Sequence, residues 1–476
     1  MLSAVMAESK AENGCPRCAE LEARVAALEA LVASLQAALA KAQKHSGNSS
    51  KPPSSDIVKP RRKPGKKGLR RKPKIGGQPG HDRHERTPFS PAELDAHWLW
   101  YYTECPCCRG KLRDAQELGR TIQQVELPQV PMQIEQHTAQ GQWCPKCQRI
   151  FIPTLPDELR KAGLVGPRLT ALVGFLKGAC HMSYSTLRKY FRDVLGVTIS
   201  RGMLRKLVGK VTDSLADPYE ALCAMLPTED RLNVDETGHK ENGHRLWTWC
   251  FRAYLYTVYK ISPSRGSEVL VATLGKEFDG ILGCDYFSAY HKYMRDFGVV
   301  LQFCLAHLIR DVKFLVEHPH KKNQAYGQLL LADLRRLFGV IHQREEYASP
   351  ENFQRALEKA RRQLVWDATR RAPLSREAYN LAQRFRENAD SYFRFITEPG
   401  VEPTNNLAEQ AIRFVAIHRR MTQGTRSEDG RRWCERIWTV IQTCSQQGRS
   451  VFEFLCAAVT AYFRSDEAPS LLPDTS

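Results

Sequence analysis

Apolar residues near the start of the chain recur at alternating spacings of four and three: Leu21, Val25, Leu28, Val32, Leu35 and Leu39 form an a/d stripe between Glu20 and Ala42. Set among Ala, Glu and other strong helix formers, this stripe predicts a helix of about three heptads, suited to pairing with a second copy or to docking on its own protein. The pattern vanishes from His45 to His81, where Ser, Pro, Gly and basic residues replace apolar ones, and a flexible linker is expected there. A helical period returns between Gly166 and Leu215. Leu187, Tyr190, Phe191, Val194 and Leu195 share one face, Gly196 ends that helix, and Ser200 can cap a second carrying Met203, Leu204, Leu207 and Val208. The pair has the outline of a helix-turn-helix with Arg201, Arg205 and Lys206 outward, although basic helical pairs also occur without DNA.

After Pro227 the period changes to two. In RLNVDETG, Leu232 and Val234 fall on one face and Asn233 and Asp235 on the other. HRLWTWCFRAYLYTVYKI predicts two further strands, SEVLVATLG a helix, and GILGCDYFSAY a buried strand ending at Asp285. The strand VVLQF precedes Cys304-Leu305-Ala306-His307; His307 and Arg310 there could approach DNA or the acids, with a buried thiol and a helix-capping histidine as the alternative. Most of His320 to Asn388 is charged and helix-forming, which predicts a helical insertion. Beyond it, Leu407, Ala408, Ala411, Ile412 and Val415 form an apolar helical face with Glu409 on its flank.

Charge sharpens this picture. The 476 residues carry a net +18, of which Lys51 to Lys74 supplies +10, from eleven Lys or Arg against one Asp. Such an arm, with Arg61, Arg62, Lys66, Lys67, Arg70 and Arg71 at its centre, suits non-specific capture of a polyanion, double-stranded DNA before an anionic membrane. Arg413, Arg419 and Arg420 extend a phosphate track beyond Glu409. No run of 18 apolar residues exists and the first residues lack a charged and then apolar leader, so neither a membrane span nor secretion is expected.

Fifteen cysteines, several in Cys-x-x-Cys pairs, indicate metal ligation in a reducing compartment rather than disulfides. Cys105 and Cys108 form one knuckle, with Cys107 able to replace Cys108, and Cys144 and Cys147 form the other; four thiolates suit structural Zn²⁺. Cys15 and Cys18 make a lone pair that cannot complete a tetrahedral zinc site unless a partner supplies two ligands. Asp235 and Asp285, at strand ends of one sheet, can share a hard cation, and Glu409 can complete a site for two Mg²⁺ or Mn²⁺ ions about 4 Å apart. Each acid also has an ordinary reading, as a turn residue, a strand-end cap and half of an i,i+4 pair with Arg413.

HSGNSSKPPSSD, GGQPGH, the two cysteine knuckles, NVDETG, CDYFSAY, FCLAHLIRD and PTNNLAEQAIR follow one another in an order that resembles transposases of the insertion sequence 66 family over nearly the whole chain. The resemblance implies a multidomain α/β protein with a ribonuclease-H-like catalytic core, Asp235, Asp285 and Glu409 as its metal-binding acids, a leucine-zipper-like N-terminus and a zinc segment. The chain departs from the common pattern at Thr404 and Gln410, beside the third acid.

The resulting division is a coiled-coil helix over 1–45, a basic linker over 46–95, a zinc-binding segment over 96–157 and a helical DNA-binding region over 158–226. A catalytic domain over 227–445, with a helical insertion about 315–395, and a C-terminal helix and tail over 446–476 complete it. The function expected is metal-dependent cleavage and strand transfer of DNA bearing terminal inverted repeats, by a homo-oligomer in the bacterial cytoplasm at the nucleoid, with element-encoded accessory proteins as further partners. The rivals are a ribonuclease-H-like nuclease that cuts without joining, and a zinc-containing DNA-binding regulator.

Overall fold

The computed structural model describes residues 16–45, 47–48, 89–94, 105, 107–111, 132–140, 142–146 and 148–473. The chain divides into one compact unit of residues 1–60, 139–192 and 197–476 and a second of 61–138 and 193–196. In the second unit, Cys105 lies in a tight turn: its N–H donates to Gly110 O (2.9 Å) and its carbonyl accepts from Arg109 N (2.8 Å).

The larger unit begins with α1 (Pro16–Ala42) and a hairpin of β1 (Gln142–Cys144) and β2 (Arg149–Phe151). All six heptad residues of α1 are about half exposed, from 49% at Leu39 to 60% at Leu28, so among the described residues the stripe covers no core. By length and composition alone Glu20–Ala42 is also apolar enough to cross a membrane, which is weak evidence for a span in a single helix near the N-terminus.

Five helices follow: α2 (Asp157–Ala162), α3 (Pro167–Gly178), α4 (Tyr184–Asp193), α5 (Arg201–Ser214) and α6 (Ala216–Met225). Ser200 caps α5 by accepting from Met203 N at 3.1 Å, and Leu204, Leu207, Val208 and Val211 turn inward. The preceding helix stops at Asp193, two residues short of the apolar pattern, and Val194 beyond it is exposed.

The sheet is built from β3 (Arg231–Glu241), β4 (His244–Arg252), β5 (Thr257–Ser262), β6 (Ile281–Cys284) and β7 (Val300–Phe303), in the order β5-β4-β3-β6-β7. The first three strands form an antiparallel meander, whereas β6 and β7 run parallel to β3. Asn242 and Gly243, at φ 47° and 88°, make the two-residue turn that lets β3 and β4 pair over nine positions. The crossovers carry α7 (Ser267–Leu274) and α8 (Ser288–Phe297).

After β7 the chain is helical: α9 (Leu305–Val316), α10 (Lys321–His342), α11 (Pro350–Arg370), α12 (Arg376–Thr397), α13 (Asn406–Thr422), α14 (Glu428–Gln446) and α15 (Val451–Arg464). Helix α10 packs between α9 and α11, α13 lies on β3 and β4, and α14 lies on β5. The C-terminal α15 packs against α3 and α5, so chain end and helical region share one hydrophobic cluster that includes Leu204, Val211, Leu455 and Val459.

Candidate functional site

Parallel pairing aligns Leu232 with Leu282 and Asn233 with Gly283, so Asp235 and Asp285 stand level two residues further on. Asp285 is at a strand end, as the pattern predicts. Asp235 is instead the fifth residue of an eleven-residue strand, because pairing with β4 carries β3 on after β6 has stopped. Backbone amides fix both carboxylates: Asp235 Oδ1 accepts from Glu236 N (2.8 Å) and Asp285 Oδ1 from Phe287 N (3.1 Å).

The third acid, Glu409, is in the first turn of α13. The inward face of that helix is Ala408, Ala411, Val415 and His418, whereas Leu407 is 40% exposed. Asn405, just ahead of the helix, aims this turn at the sheet. It donates through Nδ2 to Val234 O (2.7 Å), accepts at Oδ1 from Asn233 Nδ2 (2.9 Å) and gives its own N–H to Cys304 Sγ (3.1 Å). Arg310 Nη2 donates to Glu409 Oε2 at 3.2 Å, and His307 Nδ1 is 3.4 Å from Oε1. Arg413 is exposed, so the partner of Glu409 comes from α9 rather than from its own helix.

A fourth acid completes the cluster. Glu236 is buried and accepts from Arg265 Nε (3.0 Å) and Nη2 (2.7 Å) at Oε1 and from Tyr290 OH (2.6 Å) at Oε2. Burial raises the Asp235 carboxyl well above the usual range, and Glu236, Asp285 and Glu409 add to the rise. Burial and then Glu236 push Asp285 up to about 7, against the pull of Arg265. Two level carboxylates that resist carrying charge in this setting form an oxygen donor set fit for a hard divalent cation.

Other basic residues sort by what they touch. Arg419 donates to Thr237 Oγ1 at 3.1 Å and to the Gly238 carbonyl, so its guanidinium ties α13 to β3. Arg201, Arg205, Lys206, Arg413 and Arg420 are exposed. A groove of about 1030 Å³ between α5 and the start of α14 has Lys177, Arg205, Arg426, Arg432 and Arg436 in its walls.

At Cys105, amides of Cys108 and then Cys107 on the sulfur hold the thiol below its ordinary range. Its proposed co-ligand Cys108 is exposed, while Cys147 and the side chain of Cys144 lie outside the described residues. So do Arg61, Arg62, Lys66, Lys67, Arg70, Arg71, Cys15 and the side chain of Cys18.

Sequence reasoning missed Glu236, Arg265 and Tyr290. The available signal was an acid at the third inward position of Leu232, Val234 and Glu236, where a buried charge requires a partner.

Residues 8–87 match a family of unknown function, DUF6444. Uncharacterized protein y4hP of Sinorhizobium fredii is 24% identical over 379 residues, covering 72% of this chain and 67% of the relative. Uncharacterized protein y4qI of the same organism is 25% identical over 352 residues, covering 67% and 64%. The chain thus spans about two thirds of the length of these relatives. The family model described as Transposase IS66 family matches residues 162–432, a span that takes in the sheet, Asp235, Asp285 and Glu409. The chain belongs to the IS66 transposase family.

Proposed function

We propose that this transposase cleaves DNA at the ends of a mobile element and joins the freed 3′-hydroxyl to target DNA, using Asp235, Asp285 and Glu409 to hold two Mg²⁺ or Mn²⁺ ions. The carrying observation is that Asp235 and Asp285 stand level on adjacent parallel strands, with Glu409 on the helix above them. The strand order, three antiparallel strands followed by two parallel ones on the far side of the first, supports a ribonuclease-H-like core.

Bound divalent cations would supply activation of the attacking oxygen and neutralisation of the leaving one. The chain's own residues set the stage. The Glu236 and Phe287 amides aim the two aspartates, Asn405 holds the start of α13 against β3, and Arg310 keeps one oxygen of Glu409 in place. The exposed cations Arg201, Arg205 and Lys206 of α5, with Arg413 and Arg420 of α13, support phosphate contacts. The half-exposed heptad stripe of α1 supports pairing of two copies, so that two element ends are handled together. The amides on Cys105 support a structural Zn²⁺ held with Cys108, Cys144 and Cys147.

The test is strand transfer on DNA bearing the element ends. Asp235→Asn, Asp285→Asn and Glu409→Gln should each reduce cleavage and joining to background while DNA binding persists. Full activity in any one removes that acid from the set, and cleavage without joining by the unaltered chain would instead identify a nuclease.

A further inference from the structure

One of the three acids, Glu409, also belongs to a second ligand set of different chemistry. Cys304, at the end of β7, His307, in the first turn of α9, and Glu409 bring one sulfur, one nitrogen and one oxygen within 4.8 Å of one another. Two candidate ligand atoms, His307 Nδ1 and Glu409 Oε1, are buried and make no hydrogen bond, meeting each other as an ion pair at 3.4 Å. A buried nitrogen and carboxylate oxygen left in this state are costly. They face each other at a separation a direct hydrogen bond would close, and a cation between them would satisfy both.

The sulfur, by contrast, already has a partner. Cys304 is 2% exposed, and its Sγ accepts the Asn405 amide at 3.1 Å, as a metal-bound thiolate does. Arg310 already occupies the other oxygen of Glu409, leaving Oε1 to point at His307.

We propose that Cys304, His307 and Glu409 form a binding site for a zinc-class transition ion, which shares Glu409 with the hard-cation site and is distinct from it in Cys304 and His307. Tetrahedral zinc with bonds of about 2.0–2.3 Å sets its ligand atoms roughly 3.3–3.8 Å apart; the His307–Glu409 separation of 3.4 Å falls in that range, and the whole set, within 4.8 Å, needs only a small contraction. Sulfur and imidazole favour zinc, whereas the all-oxygen aspartate pair favours magnesium or manganese, so the two sites select different ions. The ion would staple the β7–α9 junction to α13 and fix one oxygen of Glu409. Cys304 and His307 belong to this site alone, and only the effect on the shared Glu409 rests on the catalytic reading above.

The full chain loaded with ¹¹³Cd²⁺ tests the site by NMR, because a centre with one sulfur resonates far from one with four. The expected spectrum has a one-sulfur resonance that Cys304→Ser abolishes and Cys105→Ser leaves unchanged. Bound zinc should fall by one equivalent per chain in Cys304→Ser and equally in His307→Gln, a second variant that keeps the thiol. Serine can still accept the Asn405 amide, and circular dichroism confirms folding of both. A spectrum without the one-sulfur resonance, or zinc content unchanged in both folded variants, overturns the proposal whether or not the acids prove catalytic.

Discussion

Asn405 is 2% exposed and touches β3 twice, so the position of Glu409 depends on an amide four residues away. That contact needs room on the neighbouring strand. A Cβ on Gly283 would lie 2.5 Å from Asn233 Nδ2, closer than a side chain tolerates, and would push Asn233 off Asn405. Residues that orient metal ligands typically change affinity or activity by about 10–100-fold when lost. Gly283→Ala and Asn405→Ala should therefore each lower strand transfer by about that factor while thermal unfolding stays cooperative. Wild-type rates in both would show that α13 is positioned without this link. Asp235, Asp285 and Glu409 could be named from the sequence because they sit in short motifs whose order carries the family resemblance, and Asp235 and Asp285 fall on adjacent strands of one sheet as that order implies. Glu236 was not, since its partners Arg265 and Tyr290 lie 29 and 54 residues further on and meet it only through the fold.

At the scale of elements, strand β5 is one edge of the sheet, and α14 covers it with side chains. Thr443 Oγ1 accepts from Thr257 N (3.2 Å), Thr439 Oγ1 from Tyr259 N (3.1 Å) and Glu435 Oε1 from Ile261 N (2.6 Å). Spacing of four along the helix matches spacing of two along the strand, so every outward amide of this stretch is satisfied and the edge cannot recruit a foreign strand. The period revealed each element but not this pairing, which couples residues some 180 positions apart. Glu435 also carries a pH signature: burial pushes its carboxyl up to about 7, although the Ile261 amide and Arg431 pull the other way. Between the ordinary carboxylate range and pH 7 the folded chain holds a proton that the unfolded chain has released, so stability is lost as pH rises through 7. Glu435→Gln keeps the acceptor and cannot ionise. Its stability should fall less than the wild type's from pH 5 to pH 8, by roughly 1–3 kcal/mol, in urea unfolding at the two pH values. Parallel losses in the two proteins would rule out Glu435 as the titrating group.

Over the whole molecule, charge and chemistry are separated along the chain. More than half of the +18 belongs to residues 51–74, while the sheet gathers Asp235, Glu236 and Asp285 at its centre. Acids so close would repel DNA phosphates unless cations intervene, and on the proposed reading a basic segment elsewhere in the chain would raise the local concentration of DNA without weakening the site's hold on those cations. Each phosphate neutralised contributes about −0.9 to the slope of log affinity against log salt. Deleting residues 51–74 should weaken binding at low salt and flatten that slope, by several units if most of its eleven cations engage DNA. Mg²⁺-dependent cleavage should survive at protein concentrations high enough to restore occupancy, because Asp235, Asp285 and Glu409 are untouched. Substituting Leu28 and Leu35 with Lys on the exposed face of α1 should act differently, leaving the salt slope per chain in place while reducing joint processing of two ends. An unchanged slope after the deletion would locate the phosphate contacts on the body instead, where Arg201, Arg205, Lys206, Arg413 and Arg420 are the exposed cations to examine.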